Sequence, residues 1–252
     1  MTLQSLTRFK AFLLHFCISV FIAAGVVVVV VVLWYPSPYF DAMGGATLLR
    51  LLIGVDVVIG PLITFLVFDP KKPHLKFDLA TIAVLQVAAL AYGGYVMFSA
   101  RPVFTVFADG RFHTVPANAI DVDSLARASP EFRSLSLTGP RVVASRFPDD
   151  PQETAKVVAE TAMGGADLAD LPHLYVPYAQ DAGIAAAAAR PLVTLAQGSK
   201  ESADRVNEFL TAHASGGRNL GFIPVTARNR DFSAVVDRKT GEIVGYLRID
   251  PR

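Results

Sequence analysis

Three polar side chains interrupt long apolar stretches in the N-terminal part of the chain. Arg50 and Asp56 lie in the stretch 46–68, and Gln86 lies in the stretch 79–98. In lipid such groups are costly to bury, so each needs a hydrogen-bonding partner or a functional reason to be there. On a helix, Arg50 and Asp56 would lie about 120° apart, which argues against an ion pair. We expect Asp56 near the middle of its helix, with Gln86 as its hydrogen-bond donor and with its carboxyl group either ionised or protonated.

Two interpretations of these polar residues remain open. Asp56 and Gln86 could only hold two helices together, or they could bind a partner within the membrane. Arg50 lies about one turn from the end of its stretch, where its long side chain could reach the lipid headgroups. Lys71 and Lys72 follow the same stretch, and they could contact a partner or only set the direction of insertion.

The stretch that holds Asp56 also carries residues that shape a helix. Pro61 cannot donate a backbone hydrogen bond, so we expect a kink at this position. Gly54 and Gly60 are expected to let another helix approach closely. They are not spaced as Gly-x-x-x-Gly, so the packing signal is weak.

The sequence contains no residue pattern that is typical of catalysis or metal binding. It lacks His-Glu-x-x-His, Cys-x-x-Cys, a glycine-rich phosphate loop and Gly-x-Ser-x-Gly. His113, His173 and His213 fall on unrelated predicted elements, without the spacing of metal ligands. Cys17 is the only cysteine, so no intrachain disulfide can form. We therefore predict a protein that is not an enzyme and that binds no cofactor or metal.

Composition divides the chain into a membrane region and a soluble region. The chain is 52% hydrophobic and only 18% charged, whereas soluble domains carry about 25% charged residues. We predict a membrane domain at 1–102, with spans near 12–33, 46–68 and 79–98, because each stretch can cross about 30 Å of hydrocarbon. Residues 103–252 should form a soluble α+β domain. This domain is close to neutral, so we expect no nucleic-acid surface.

Positive charges predict the direction of the spans. The N-terminal tail has Arg8 and Lys10, and the link 69–78 has three lysines, whereas the link 34–45 has neither Lys nor Arg. The positive-inside rule then places the tail and the lysine link in the cytoplasm, and everything after the third span outside. Arg101 is an exception, whose side chain we expect to reach the headgroups.

The first apolar stretch could also be a cleaved signal peptide. Such a peptide has a shorter apolar core and a small-x-small cleavage site. Here the run ends in Trp34-Tyr35-Pro36, and we expect Trp34 and Tyr35 to form an aromatic anchor at the membrane interface. We therefore favour a span that is retained.

The residues after the spans predict antiparallel strands and several helices. Two β-rich runs around Asp109-Gly110 indicate a β-hairpin, and Asp150 with Pro151 indicates the start of a helix. Residues 166–198 are ambiguous, apart from an Ala-rich helix at 184–190. The remaining predictions are a strand at 141–147, an amphipathic helix at 202–213 that stops at Gly216-Gly217, and a three-stranded meander at 222–227, 232–236 and 242–249.

Several stretches, taken in order along the chain, resemble the type IV pilin accessory proteins of the TfpX/TfpZ family. The resemblance is strongest over residues 30–125. The matching stretches are Trp34–Phe40, Gly44-Gly45, Leu51–Leu62, Lys76–Ala80 and Ala100–Val103.

This resemblance implies a bacterial inner-membrane protein with a cytoplasmic N-terminus and a periplasmic C-terminal domain. It implies a pilin-specific chaperone or a modulator of pilus assembly, without catalytic residues. The implied partners are the major type IV pilin, the lipid bilayer and the pilus assembly machinery. In this setting, the membrane helices would recognise the pilin stem and the periplasmic domain would confer specificity, with a strand edge of the meander as one means.

Two further points bear on this interpretation. Arg50 would lie near the outer side, about 20 Å from the glutamate near the start of mature pilins, whereas Lys71 and Lys72 lie at the matching cytoplasmic end.

The alternative function is a membrane-anchored sensor of a periplasmic ligand that acts through partner helices.

Overall fold

The computed structural model describes residues 6–213 and 219–251, and the chain divides into two compact units. The membrane unit contains the residues up to Trp34 together with Gly45–Ser99. The C-terminal unit contains Tyr35–Gly44 and the residues from Ala100 onward.

Three helices of the membrane unit are long and apolar enough to cross a bilayer. They span Arg8–Trp34, Gly45–Val67 and Leu75–Ser99, with 27, 23 and 25 residues. At 1.5 Å per residue even the shortest of these reaches about 35 Å, more than the hydrocarbon core of about 30 Å. Many of their large apolar side chains, such as Phe21 and Phe77, point away from the protein. The three predicted spans are therefore confirmed as membrane-type helices. The first and third are a few residues longer than predicted, and the second is shifted by one residue.

The helix that carries Asp56 widens before its proline. Gly54–Ile59 is π-helical, and the Gly60 N–H donates to the carbonyl oxygen of Val55, five residues back. Pro61 follows directly and has no N–H to donate. A widened turn thus lies directly before Pro61, and the kink expected at this residue stays a prediction.

The C-terminal unit is built on a mixed sheet of mostly antiparallel strands. Eight strands pair in the described residues, in the order β4-β3-β1-β2-β6-β7-β8, with β5 against β6. The β1–β3 and β2–β6 pairs are parallel and the other pairs are antiparallel. The strands are β1 Pro102–Ala108, β2 Arg111–Pro116, β3 Arg141–Ser145, β4 Tyr175–Pro177, β5 Arg190–Pro191, β6 Leu220–Thr226, β7 Phe232–Asp237 and β8 Ile243–Leu247.

The predicted hairpin and meander are both present. Asp109 and Gly110 join β1 to β2 with φ angles of 49° and 75°, the positive values that a tight hairpin turn requires. Strands β6, β7 and β8 form the meander in antiparallel order. The two parallel pairs were not predicted, because they join strands that are distant in sequence.

Helices of the C-terminal unit begin where the sequence offers a capping side chain. Asp150 accepts a hydrogen bond from the Gln152 N–H, and Ser199 does the same for Ser202. The predicted stop at Gly216-Gly217 lies outside the described residues. The helices of four residues or more are Tyr39–Ala42, Val122–Arg127, Pro151–Ala162, Ala182–Ala188, Val193–Ala196 and Lys200–Ala212.

The link Tyr35–Gly44 differs from the predicted division of the chain at residue 102, because it packs as part of the C-terminal unit. The hydroxyl oxygens of Tyr39 and Thr105 lie 2.8 Å apart in the core. The Tyr39 ring packs edge-on against Phe232 and Tyr246, with centroids 5.4 and 5.8 Å away. This short segment therefore supplies part of the core of a domain whose remaining residues begin at 100.

Polar contacts hold the same link at its far end. The Asn229 and Arg230 N–H groups both donate to the Ala42 carbonyl oxygen, at 2.9 and 3.1 Å. The Arg248 guanidinium forms an ion pair with Asp41 at 3.0 Å.

Two residues expected at the membrane interface are buried in the C-terminal unit instead. Tyr35 is completely buried, and burial raises the pKa of its hydroxyl to about 12. Arg101 is also buried, and its Nε donates to the Ser136 carbonyl oxygen at 3.0 Å. The structure therefore places both side chains among partners of the C-terminal unit. Trp34, which belongs to the membrane unit, packs against Phe98 with ring centroids 5.1 Å apart.

Candidate functional site

The structure brings Asp56 and Gln86 together between the second and third spans. The Gln86 side-chain amide donates to Asp56 Oδ1 at 3.0 Å and to the Asp56 carbonyl oxygen at 3.2 Å. Asp56 itself is only 8% exposed. The hydrogen bond expected from the sequence is therefore present, and it joins the two helices.

Gly60 makes room for this pair. A Cβ atom at Gly60 would collide with the side-chain amide of Gln86. The residue thus allows close approach, but what approaches is a polar side chain rather than a helix backbone. Gly54 has no described atom within 4 Å of the place where a Cβ would lie, so the structure gives it no packing role.

Asp56 lies in the widened turn and has one carboxyl oxygen without a partner among the described residues. Asp56 lies within the π-helical segment Gly54–Ile59, and such turns occur frequently at functional sites. Its second carboxyl oxygen, Oδ2, is buried and has no hydrogen-bond partner within 6–213 and 219–251. A buried polar atom without a partner is uncommon because it loses its hydration without compensation.

A slot of about 240 Å³ opens beside Asp56 and Gln86. We call it the intramembrane slot. Its walls are almost entirely apolar. Side chains from both helices line it, chiefly Leu51, Leu52, Val55, Leu90, Tyr92 and Val96.

Gly93 shapes one wall of the intramembrane slot and was not predicted as a site residue. A Cβ atom there would meet the side chain of Leu52, so the glycine lets the second and third spans approach. The adjacent pair Gly93-Gly94 in the middle of an apolar helix was the available signal, because glycine is unfavourable there without a packing reason.

The remaining candidate residues do not join this site. Arg50 Nε donates to the Ala46 carbonyl oxygen one turn earlier, at 3.0 Å. Lys72 forms an ion pair with Asp78, and the Lys71 N–H donates to the Asp69 carboxylate at 3.0 Å.

A second polar pair joins the first and second spans. His15 Nδ1 lies 2.6 Å from Thr64 Oγ1, and Thr64 is buried. Asp56, Gly60 and Thr64 recur every four residues, which places them along one side of the helix. This spacing could have revealed from the sequence that one polar face of the second span meets both neighbouring helices.

The C-terminal unit offers one arrangement that resembles a catalytic pair. Ser124 Oγ lies 2.6 Å from His173 Nδ1, beside a cavity of about 800 Å³ that His173 lines. Ser124 is completely buried, and its hydroxyl also accepts from the His173 N–H at 3.1 Å. The serine is thus closed to a substrate, and the pair links two segments of the chain. Within 6–213 and 219–251 no three His, Cys, Asp or Glu side chains group as metal ligands.

Comparison with known proteins points to a single kind of protein. Residues 4–44 match the family described as fimbrial assembly protein FimB. The fimbrial assembly protein of serogroup I from Dichelobacter nodosus is 33% identical over 243 residues, which cover 94% of this chain and 93% of that protein. The serogroup E1 protein of the same organism is 33% identical over 244 residues, with the same coverage. No solved structure matches the chain.

Proposed function

This chain belongs to the family of fimbrial assembly proteins, and we propose that it is a pilin-specific chaperone or modulator of type IV pilus assembly in the bacterial inner membrane. The observation that carries the proposal is the extent of the match, since 94% of the chain aligns at 33% identity. The match therefore includes the three spans as well as the C-terminal unit. The proposed role is binding rather than catalysis.

The architecture supports a partner with parts both in and outside the membrane. An unassembled pilin, as the family resemblance implies, has one membrane helix and a globular periplasmic domain. Three spans with a lysine-rich link between the second and third favour a cytoplasmic N-terminus and a periplasmic C-terminal unit. The chain would then offer one surface to the pilin stem and another to the pilin head.

We assign stem recognition to the spans and pilin specificity to the C-terminal unit. The polypeptide passes between the two units at three points, after Trp34, Gly44 and Ser99. Each crossing is covalent, so a partner that is bound at one unit stays close to the other. This connection suits a protein that holds one partner in two places.

Deletion of the gene tests the proposed function. A strain that lacks the chain but keeps its pilin gene should show an altered number of surface pili and an altered amount of unassembled pilin in the membrane. Re-expression of the full-length chain should restore both. Unchanged pili and unchanged membrane pilin would contradict the proposal.

Exchange of C-terminal units tests the division of labour. The C-terminal unit must be exchanged together with residues 35–44, which form part of its core. Between two such proteins that serve different pilins, specificity should follow the exchanged unit. Specificity that stays with the spans would contradict the assignment.

A further inference from the structure

A buried carboxyl oxygen without a hydrogen-bond partner lies beside the intramembrane slot. Asp56 is 8% exposed, and Gln86 satisfies only its Oδ1 and its backbone oxygen. Oδ2 has no partner in the part of the chain that the structure describes. Water is absent from the hydrocarbon core, so such an atom is satisfied only by another protein group or a ligand.

We propose that the intramembrane slot receives a membrane-spanning helix of a partner protein, which donates a hydroxyl or amide hydrogen bond to Asp56. A lipid acyl chain could fill the apolar walls, but it carries no hydrogen-bond donor. A helix with a Ser, Thr, Asn or Gln at the depth of Asp56 meets both requirements. Hydrogen bonds of this kind are an established means of helix association in membranes.

The shape of the slot fits side chains that project from a helix. At about 240 Å³ it is too small for a whole helix, whose diameter is about 10 Å. Leu51 and Tyr92 stand at its sides, 70% and 71% exposed. Ala89 and Gly93 also line the slot. Because neither residue has a bulky side chain, another helix backbone can approach the third span closely there.

Rotation of the carboxyl group would present the free oxygen to the partner. The terminal torsion of an aspartate side chain is broad rather than confined to narrow wells. Asp56 borders the slot, so a turn of its carboxyl group can direct Oδ2 to a donor there. Gln86 can keep its second hydrogen bond, to the Asp56 carbonyl oxygen, during this change.

This inference rests on the proposed function and deepens it, because in that setting the partner helix is the stem of the unassembled pilin. From the sequence alone, Asp56 and Gln86 could serve only to join two helices or could bind a partner. The unsatisfied oxygen and the adjoining slot favour partner binding.

Site-specific photocrosslinking of the full-length chain in cells that express its pilin tests the inference. A photoreactive residue is placed in the slot at Leu51 or Tyr92. Matched controls are Leu66 and Val84, on the same two helices and each 67% exposed, which do not line the slot. Pilin adducts should form at the slot positions and stay at background level at the controls, because photocrosslinking requires direct contact with the partner helix.

Substitution of the acceptor completes the test. Asp56→Leu should reduce the pilin adduct at Leu51 about fivefold. Asp56→Asn should retain most of the adduct, because its Oδ1 can still accept from Gln86 while its N–H groups can donate to the oxygen of a partner hydroxyl or amide. If Asp56→Leu does not accumulate, Leu90→Trp fills the slot while leaving Asp56 and Gln86 unsubstituted and should abolish the adduct at Leu51, with Val84→Trp as its control.

Several outcomes would overturn the inference. These are adducts with a second copy of the chain, adducts with lipid only, equal yields at slot and control positions, or full adduct yield in both Asp56→Leu and Leu90→Trp. Each leaves the result of the gene deletion unchanged, so failure of the slot and failure of the proposed function can be told apart.

Discussion

At the scale of single residues, the second span carries a polar face that its neighbours satisfy only in part. Thr64 pairs with His15, and Gln86 pairs with Asp56. The sequence predicted the Asp56–Gln86 bond, because depth along two helices can be counted from their ends. It could not predict that Gly60 makes space for Gln86, since that depends on how two helices rotate against each other.

Substitution of Gly60 tests this local packing. In Gly60→Ala the new methyl group meets the Gln86 amide, so the amide must move and its hydrogen bonds to Asp56 weaken. We expect a loss of about 1–3 kcal/mol in the free energy of unfolding, measured by denaturation of the full-length chain in detergent.

Gly54→Ala is the matched control, because the same methyl group would enter open space. It should leave stability unchanged or raise it slightly, since alanine favours a helix more than glycine does. Equal losses in the two variants would mean that helix flexibility, not the contact with Gln86, determines the effect.

Asp170 in the C-terminal unit predicts a pH dependence of stability. Burial raises the pKa of Asp170 to about 6, and the neighbouring Asp167 charge makes a smaller contribution. In the unfolded chain, the pKa of an aspartate is about 3.9. The folded state therefore binds this proton more tightly than the unfolded state does. Stability from this group is present below about pH 4 and is lost as the pH rises through about 6.

The comparison with Asp170→Asn isolates that effect. We compare the free energies of unfolding of the parent chain and the variant. Their difference, parent minus variant, should fall by about 2 kcal/mol between about pH 4 and about pH 7. Burial lowers the pKa of His113 and of His173, which adds a separate loss of stability toward acid pH. Both histidines are present in both proteins, so their contribution cancels in the difference. A difference that does not vary with pH would show that the Asp170 carboxyl group is solvated.

At the scale of elements, local patterns predicted the structure where the interactions are local. The hairpin turn at Asp109-Gly110 and the helix start at Asp150 depend on neighbouring residues, and both were predicted. The link Tyr35–Gly44 was misassigned because its partners, among them Thr105 and Phe232, lie far away in the sequence. Its aromatic residues resembled an interfacial anchor, and nothing in a ten-residue link reveals that it completes a distant core.

Tyr39 tests whether this link is a structural part of the C-terminal unit. Tyr39→Ala removes a ring that is buried against Phe232 and Tyr246, and should lower the free energy of unfolding by about 3–5 kcal/mol. Tyr39→Phe keeps the ring but removes the hydroxyl and its hydrogen bonds with Thr105 and Tyr246, and should cost about 1–3 kcal/mol. Protease resistance of the C-terminal unit in the full-length chain provides the measurement. If Tyr39→Ala leaves it unchanged, the link does not support the core.

At the scale of the whole molecule, the account needs an odd number of spans and a periplasmic C-terminal unit. The three spans were predictable because length and apolar character alone define them. Alkaline phosphatase should be active when fused after Asp150 and inactive when fused after Lys72, because the enzyme works only outside the cytoplasm. The reverse pattern would contradict the proposed orientation.

The central claim is that the full-length chain binds its own pilin before assembly. Purification of the tagged chain from membranes in mild detergent, from cells that express its cognate pilin and an unrelated type IV pilin at equal levels, tests this most directly. We expect the cognate pilin to be recovered in clear excess over the other. Recovery of neither pilin, or of both equally, would contradict it.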